Sequence, residues 1–267
     1  MKLNLVSPST GAQWVLTGTR TFFKRPVALM GLFLMFVATL SLVAIVPVIG
    51  MFIALALVPA FTVGVMAGTQ EVEAGRFPFP MTLFVALRQG PRQTQAMLTL
   101  GALYALAALA VLGITALIDG GGLAALYMGN AGLSEELMGD DRFRTALWVS
   151  TLLYLPVSLA FWHAPALVHW HAISPVKSLF FSLVAVLRNV RAFLVYGALW
   201  MALSLGAGMA LMVFMLLTGS SGGAALVGAA IFPMSLVIAA VFFTSIWFTF
   251  RDCFSTEDDS ARPEANP

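Results

Sequence analysis

Six stretches of this chain run without an Asp, Glu, Lys or Arg for long enough to cross a bilayer: roughly 27–47, 48–68, 96–118, 145–168, 192–217 and 224–249. A helix needs about 20 such residues to span the hydrocarbon layer, where every backbone N–H and C=O must be bonded inside the segment. Nothing else in the sequence restricts the fold so strongly. Hydrophobic residues make up 60% of the 267 and charged residues 10%, against about 45–50% and about 25% in a soluble domain. An aqueous fold of this size has nowhere to hide so much apolar surface. The expectation is an all-α integral membrane protein with six transmembrane helices.

The first two runs are separated only by Val46-Pro47-Val48-Ile49-Gly50, where Pro and Gly signal a tight hairpin turn. With six spans, Lys2, Arg20, Lys24, Arg25, Arg76, Arg88, Arg92, Lys177, Arg188, Arg191, Arg251 and Arg262 fall on one side. Arg142 and Arg144 fall on the other, in a Gly-rich loop, 119–144, that also carries Asp119, Glu135, Glu136, Asp140 and Asp141. Basic residues near span ends set orientation, so both termini are expected in the cytoplasm and the acidic loop outside. The net charge of +2 therefore reports topology and points to no nucleic-acid partner. Lys2 is followed by Ser7, Pro8, Ser9, Thr10 and Gln13 instead of an apolar core, so the first span reads as retained, not as a cleaved signal. Residues 1–254 are expected to form a single transmembrane domain. The stretch 255–267, with Glu257, Asp258, Asp259, Pro263 and Pro267, has the composition of a disordered tail.

A segment that opens on proline and closes on basic residues precedes each hairpin. Ser7-Pro8 leads through Trp14, Val15 and Leu16 to Arg20, Lys24 and Arg25; Phe79-Pro80 leads through Leu83, Phe84 and Leu87 to Arg88 and Arg92; Ser174-Pro175 leads through Leu179, Phe180, Leu183 and Leu187 to Arg188 and Arg191. Serine at the N-cap with proline at the first helical position is a helix start, and cations suit the far end of the dipole. The expectation is three parallel repeats of interfacial helix plus transmembrane hairpin, at about 7–68, 79–170 and 174–251, with the basic residues available to lipid phosphate. Leu155-Pro156-Val157-Ser158-Leu159 and Phe232-Pro233-Met234-Ser235-Leu236 recur in the second helix of the later two units. A shared hydrophobic composition would give part of the same likeness. Ala56, Ala60, Gly64 and Gly68, and again Ala202, Gly206 and Ala210, are small-residue stripes of the kind that let helices approach closely in lipid.

The chemistry is sparse. None of the spans holds an Asp, Glu, Lys or Arg, which argues against a proton-coupled pump, a voltage sensor or an intramembrane aspartyl protease. No Gly-x-Ser-x-Gly, phosphate-binding Gly-rich loop with Lys, or His-Glu-x-x-His is present, and Gly120-Gly121-Gly122 and Ser220-Ser221-Gly222-Gly223 read as connecting turns. The single cysteine, Cys253, allows no intrachain disulfide. His163, His169 and His171 are the one titratable cluster and the candidate cofactor ligands. On one continuous helix, however, His163 and His169 would lie about 240° apart, and no Cys or acid accompanies them. An interfacial Trp/His belt with Trp162 and Trp170 is the preferred reading, and no cofactor or metal is expected.

The run His163-Ala164-Pro165-Ala166-Leu167-Val168-His169-Trp170-His171, continuing through Ser174-Pro175-Val176-Lys177-Ser178-Leu179-Phe180-Phe181-Ser182 to Leu187-Arg188-Asn189-Val190-Arg191-Ala192-Phe193, with the opening Leu3-Asn4-Leu5-Val6, resembles an uncharacterised family of proteobacterial six-helix inner-membrane proteins. The resemblance covers most of the chain except the tail. It implies a bacterial inner membrane and transfers no activity.

The functional expectation is a non-catalytic accessory, assembly or lipid-interacting membrane component, not an enzyme. Its partners would be anionic lipids or other inner-membrane proteins. Arg20, Lys24, Arg25, Arg88, Arg92, Arg188 and Arg191 are the candidate interface, although anchoring by the positive-inside rule alone would also place them there. The alternative is a passive transporter, channel or lipid-exchange protein with a pathway between the three hairpins lined by Thr39, Ser41, Thr62, Ser150, Thr151, Tyr154, Ser158, Ser204 and Ser235.

Overall fold

The computed structural model describes residues 2–128, 132, 134–218 and 222–255. The tail expected to be disordered lies outside them apart from Ser255, as do Ser220 and Ser221. The elements are β1 (Lys2–Leu3), α1 (Pro8–Lys24), α2 (Pro26–Ala44), α3 (Gly50–Glu73), a 3-10 helix (Pro80–Leu87), α4 (Pro91–Asp119), α5 (Gly122–Tyr127), α6 (Glu135–Gly139), α7 (Asp141–Phe161), α8 (Ala164–His171), α9 (Pro175–Arg188), α10 (Val190–Thr218), α11 (Gly222–Cys253) and β2 (Phe254–Ser255).

Six segments are long and apolar enough to cross a membrane: Pro26–Ala44, Gly50–Glu73, Pro91–Asp119, Asp141–His171, Val190–Leu217 and Val227–Cys253. They match the six expected runs. The first hairpin turns where Pro47 and Gly50 place it, with Val48 fully exposed at φ +66. The connection between α4 and α7 carries two short helices, α5 and α6. Asp119 accepts the Gly121 and Leu123 N–H groups at 2.9 and 2.6 Å, and Leu123 packs in a small core with Phe143 and Ala146. Gly120 and Gly121 stand at φ +67 and +94, a left-handed turn that glycine enters without steric cost.

The chain divides into two compact units. One takes residues up to Val37, Thr62–Val85 and those from Ala185 on; the other takes Ala38–Phe61 and Ala86–Val184. In the first, α1 lies against α10 and α11. Its buried positions Gly11, Trp14, Val15, Gly18, Thr21 and Phe22 recur at three- and four-residue spacing, one face of a helix. An added Cβ at Gly11 would sit 2.1 Å from the Ala192 carbonyl oxygen, and one at Gly18 2.4 Å from Ser245 Cβ, so both glycines are needed for this close crossing. In the second unit α4 packs on α7 and α8.

The small-residue stripe of α3 is a packing seam. A Cβ on Gly64 would meet the Leu83 backbone at 2.3 Å and one on Gly68 the Leu32 side chain at 2.4 Å, while Ala56 receives Gly101 of α4. The stripe of α10 is not. Ala202, Gly206 and Ala210 are exposed, and Gly206 has nothing within 4 Å. Three- and four-residue spacing of small side chains permits close approach but supplies no partner.

Candidate functional site

The segments before the hairpins do form helices, each beginning at its proline: Pro8, Pro80 and Pro175. They differ in kind. The middle one is a 3-10 helix, as suits a short piece between Pro80 and the Gly90-Pro91 turn, and its buried Leu83 and Ala86 keep that helix's three-residue period. Ser7 occupies the N-cap position of α1, but its hydroxyl pairs with Ser9 and Thr10 at 2.8 and 3.0 Å instead of capping the backbone. The apolar face of α1 is given to protein, leaving Leu16 and Phe23 exposed.

Arg20, Lys24, Arg25, Arg88, Arg92, Arg188 and Arg191 are all exposed. Among the described residues none of them has an acidic partner, because the ion pairs there are Arg144–Asp141, Arg251–Glu73 and Arg251–Asp252. The first unit, which holds Arg20, Lys24, Arg25, Arg188 and Arg191, also carries a polar cluster at the end of α11 that sequence reasoning missed. Arg251 bridges Glu73 of α3 and Asp252 and lies 4.8 Å above the Phe248 ring. Trp247 donates to the second Glu73 oxygen at 2.8 Å, and Trp14 of α1 donates to Asp252 at 2.9 Å. Asn189, in the one-residue gap between α9 and α10, accepts the Val6 N–H at 2.8 Å and donates to the Asn4 carbonyl at 3.1 Å. β1 pairs with β2, Lys2 opposite Ser255 and Leu3 opposite Phe254. The cluster thus engages the carboxylates of Glu73 and Asp252 through Arg251.

The histidines do not form a lipid-facing belt. His163 is fully buried, His169 is 6% exposed and His171 is half-buried. His169 and His171 lie on α8, but His163 stands in the break before it, because α7 stops at Phe161 and α8 starts at Ala164. The break has a cause in α9: the Ser182 hydroxyl accepts the His163 N–H and donates to the Leu159 carbonyl, both at 2.9 Å. Those two groups would have bonded to each other in a continuous helix, so an inserted side chain opens the ladder, and Pro165 lacks the N–H that would restore it. His169 Nε2 lies 3.2 Å from the Gln89 amide, and Gln93 donates to the terminal carbonyls of Val168 and His169 at 3.1 and 2.8 Å. Gln93 thereby caps the end of α8. Among the described residues no group of three His, Cys, Asp or Glu is placed to hold a metal ion.

Ser150, Thr151, Ser158 and Ser235 each donate to a carbonyl of their own helix, at 2.8 to 3.0 Å, and Tyr154 pairs with Tyr104. These hydroxyls are bonded where they stand and give no support to a conducting path.

Six apolar helical spans define a polytopic α-helical membrane protein. No family model and no solved structure matches the chain. A probable inner membrane protein of Burkholderia thailandensis is 40% identical to it over 267 residues, with 98% of this chain and 97% of that protein covered. The chain belongs to the same family and is a multi-pass inner-membrane protein, as the resemblance in its sequence implied.

Proposed function

We propose that this protein is a non-catalytic membrane component that engages anionic lipids, or the acidic surface of another membrane protein, at the cytoplasmic ends of its helices. The observation that carries the reading is the set of seven exposed cations without acidic partners among the described residues, while Glu73 and Asp252 are already bonded to Arg251. A surface with free guanidinium groups at the membrane boundary attracts phosphate, worth about 1 kcal/mol for each Lys or Arg near an anionic leaflet. Both termini are cytoplasmic on this reading. The chain is built as three parallel units of surface helix plus hairpin, an arrangement favoured by helices that begin at Pro8, Pro80 and Pro175.

Affinity purification of the full chain in mild detergent, with identification of what accompanies it, tests the proposal. Anionic phospholipid or a defined membrane protein should co-purify in excess over zwitterionic lipid. Turnover of a substrate by the purified protein reconstituted alone would sink the non-catalytic reading.

A further inference from the structure

Leu87 ends the 3-10 helix and Pro91 begins α4. Gly90 turns the chain between them at φ +98, and a side chain there would meet nothing within 4 Å. An open groove of about 650 Å³ runs along this corner, lined by Leu87, Arg88, Gln95, Leu98, Thr99 and Ala102 among others. The α4 members recur at three- and four-residue spacing and so follow one face of the helix for about 16 Å. Because α4 is a candidate span from Pro91, that line leads from the membrane boundary into its apolar layer.

Polarity falls along the same line. Arg88 and Gln95 stand at the outer end. The Thr94 hydroxyl at that end and the Thr99 hydroxyl further in are bonded to the Leu87 and Gln95 carbonyls at 3.1 and 2.9 Å, so the inner wall offers Leu98, 48% exposed, and Ala102. One guanidinium without an acidic partner at the boundary, above an apolar wall, matches a molecule with an anionic head and a hydrocarbon tail. A free phosphate would leave the wall unused, and a bare hydrocarbon would leave Arg88 unpaired.

We propose that this groove binds one anionic phospholipid, its phosphate on Arg88 and one acyl chain along Leu98 and Ala102. The inference rests on the lipid-engaging reading above and gives it a site. Arg88 is suited to the role because its planar fork bonds two phosphate oxygens at once.

Native mass spectrometry of the full chain, titrated with phosphatidylglycerol or phosphatidylcholine, tests it. Wild-type protein should hold one phosphatidylglycerol in preference to phosphatidylcholine. Arg88→Ala should weaken that binding about tenfold, the loss of one charge-assisted contact, and Arg88→Lys less. Ala102→Phe fills the groove without changing charge and should weaken binding comparably, whereas Lys177→Ala, which removes one charge outside the groove, should not. If Arg88→Ala and Ala102→Phe keep wild-type affinity while the preference for phosphatidylglycerol persists, the site is wrong and the wider lipid reading stands. Absence of any preference in the wild type overturns both. Displacement of the lipid by excess glycerol phosphate, or loss on Arg88→Ala without loss on Ala102→Phe, overturns the assignment to a lipid with its chain in the groove.

Discussion

Asn189 is 3% exposed, and besides Val6 and Asn4 it donates to the Ala185 carbonyl at 3.1 Å and to Cys253 Sγ at 3.6 Å. It holds the N-terminal strand, the α9–α10 joint and the end of α11 through one amide. Asn189→Ala would leave the Val6 N–H and Asn4 carbonyl without these partners, and an unmade buried hydrogen bond costs about 1–3 kcal/mol. The expected loss is about 2–4 kcal/mol, read as a lower unfolding midpoint of the purified protein in detergent; a change within about 0.5 kcal/mol, typical of a surface substitution, would contradict it. Nothing in the residue pattern singles out Asn189 beyond its place between Arg188 and Val190. Hydrophobic periodicity registers apolar faces, whereas Asn189 and Ser182 act by accepting and donating across long sequence separations. The cations were legible for the opposite reason, since their effect depends on position relative to the spans and not on a partner.

At the scale of elements, the spans could be read directly because the hydrocarbon layer demands about 20 unbroken apolar residues. Helix-to-helix seams are set by which small residues meet a backbone, and spacing identifies candidates without choosing among them. The stripe at Gly64 and Gly68 has its partner and the one at Gly206 has none, while Gly11 and Gly18 of α1, outside both stripes, make close crossings. This contrast gives a paired test. Gly18→Leu forces a side chain into Ser245 and should destabilise the protein by about 1–3 kcal/mol, the usual cost of overpacking, with faster proteolysis within Pro8–Lys24 as α1 loosens. Gly206→Leu, the same change where nothing lies within 4 Å, should stay within about 0.5 kcal/mol. Equal effects at the two positions would mean that α1 is not held by this crossing.

For the whole molecule, orientation rests on the distribution of the 14 Lys and Arg residues, of which Arg142 and Arg144 alone stand in the first turn of α7, at the end of that span that follows α6. Arg144 is moreover paired with Asp141 of the same turn, which further reduces the positive charge available there. Long-range grouping was not legible: α1 joins α10 and α11 in one unit, and no local pattern encodes contacts between residues so far apart in the chain. The crossing count and the orientation can be tested separately, because the sole cysteine, Cys253, is fully buried and should give little background to a membrane-impermeant maleimide. Ser9 and Gly139 are both exposed, and Gly139 has open space around it. Three candidate spans, Pro26–Ala44, Gly50–Glu73 and Pro91–Asp119, separate these positions, so an odd number of crossings puts them on opposite sides whichever way the protein faces. In intact spheroplasts Gly139→Cys should react, and Ser9→Cys should react only after the membrane is opened. Labelling of both from outside would refute the crossing count, whereas the reverse pattern would keep the count and refute cytoplasmic termini, taking the proposed lipid site to the other leaflet with them.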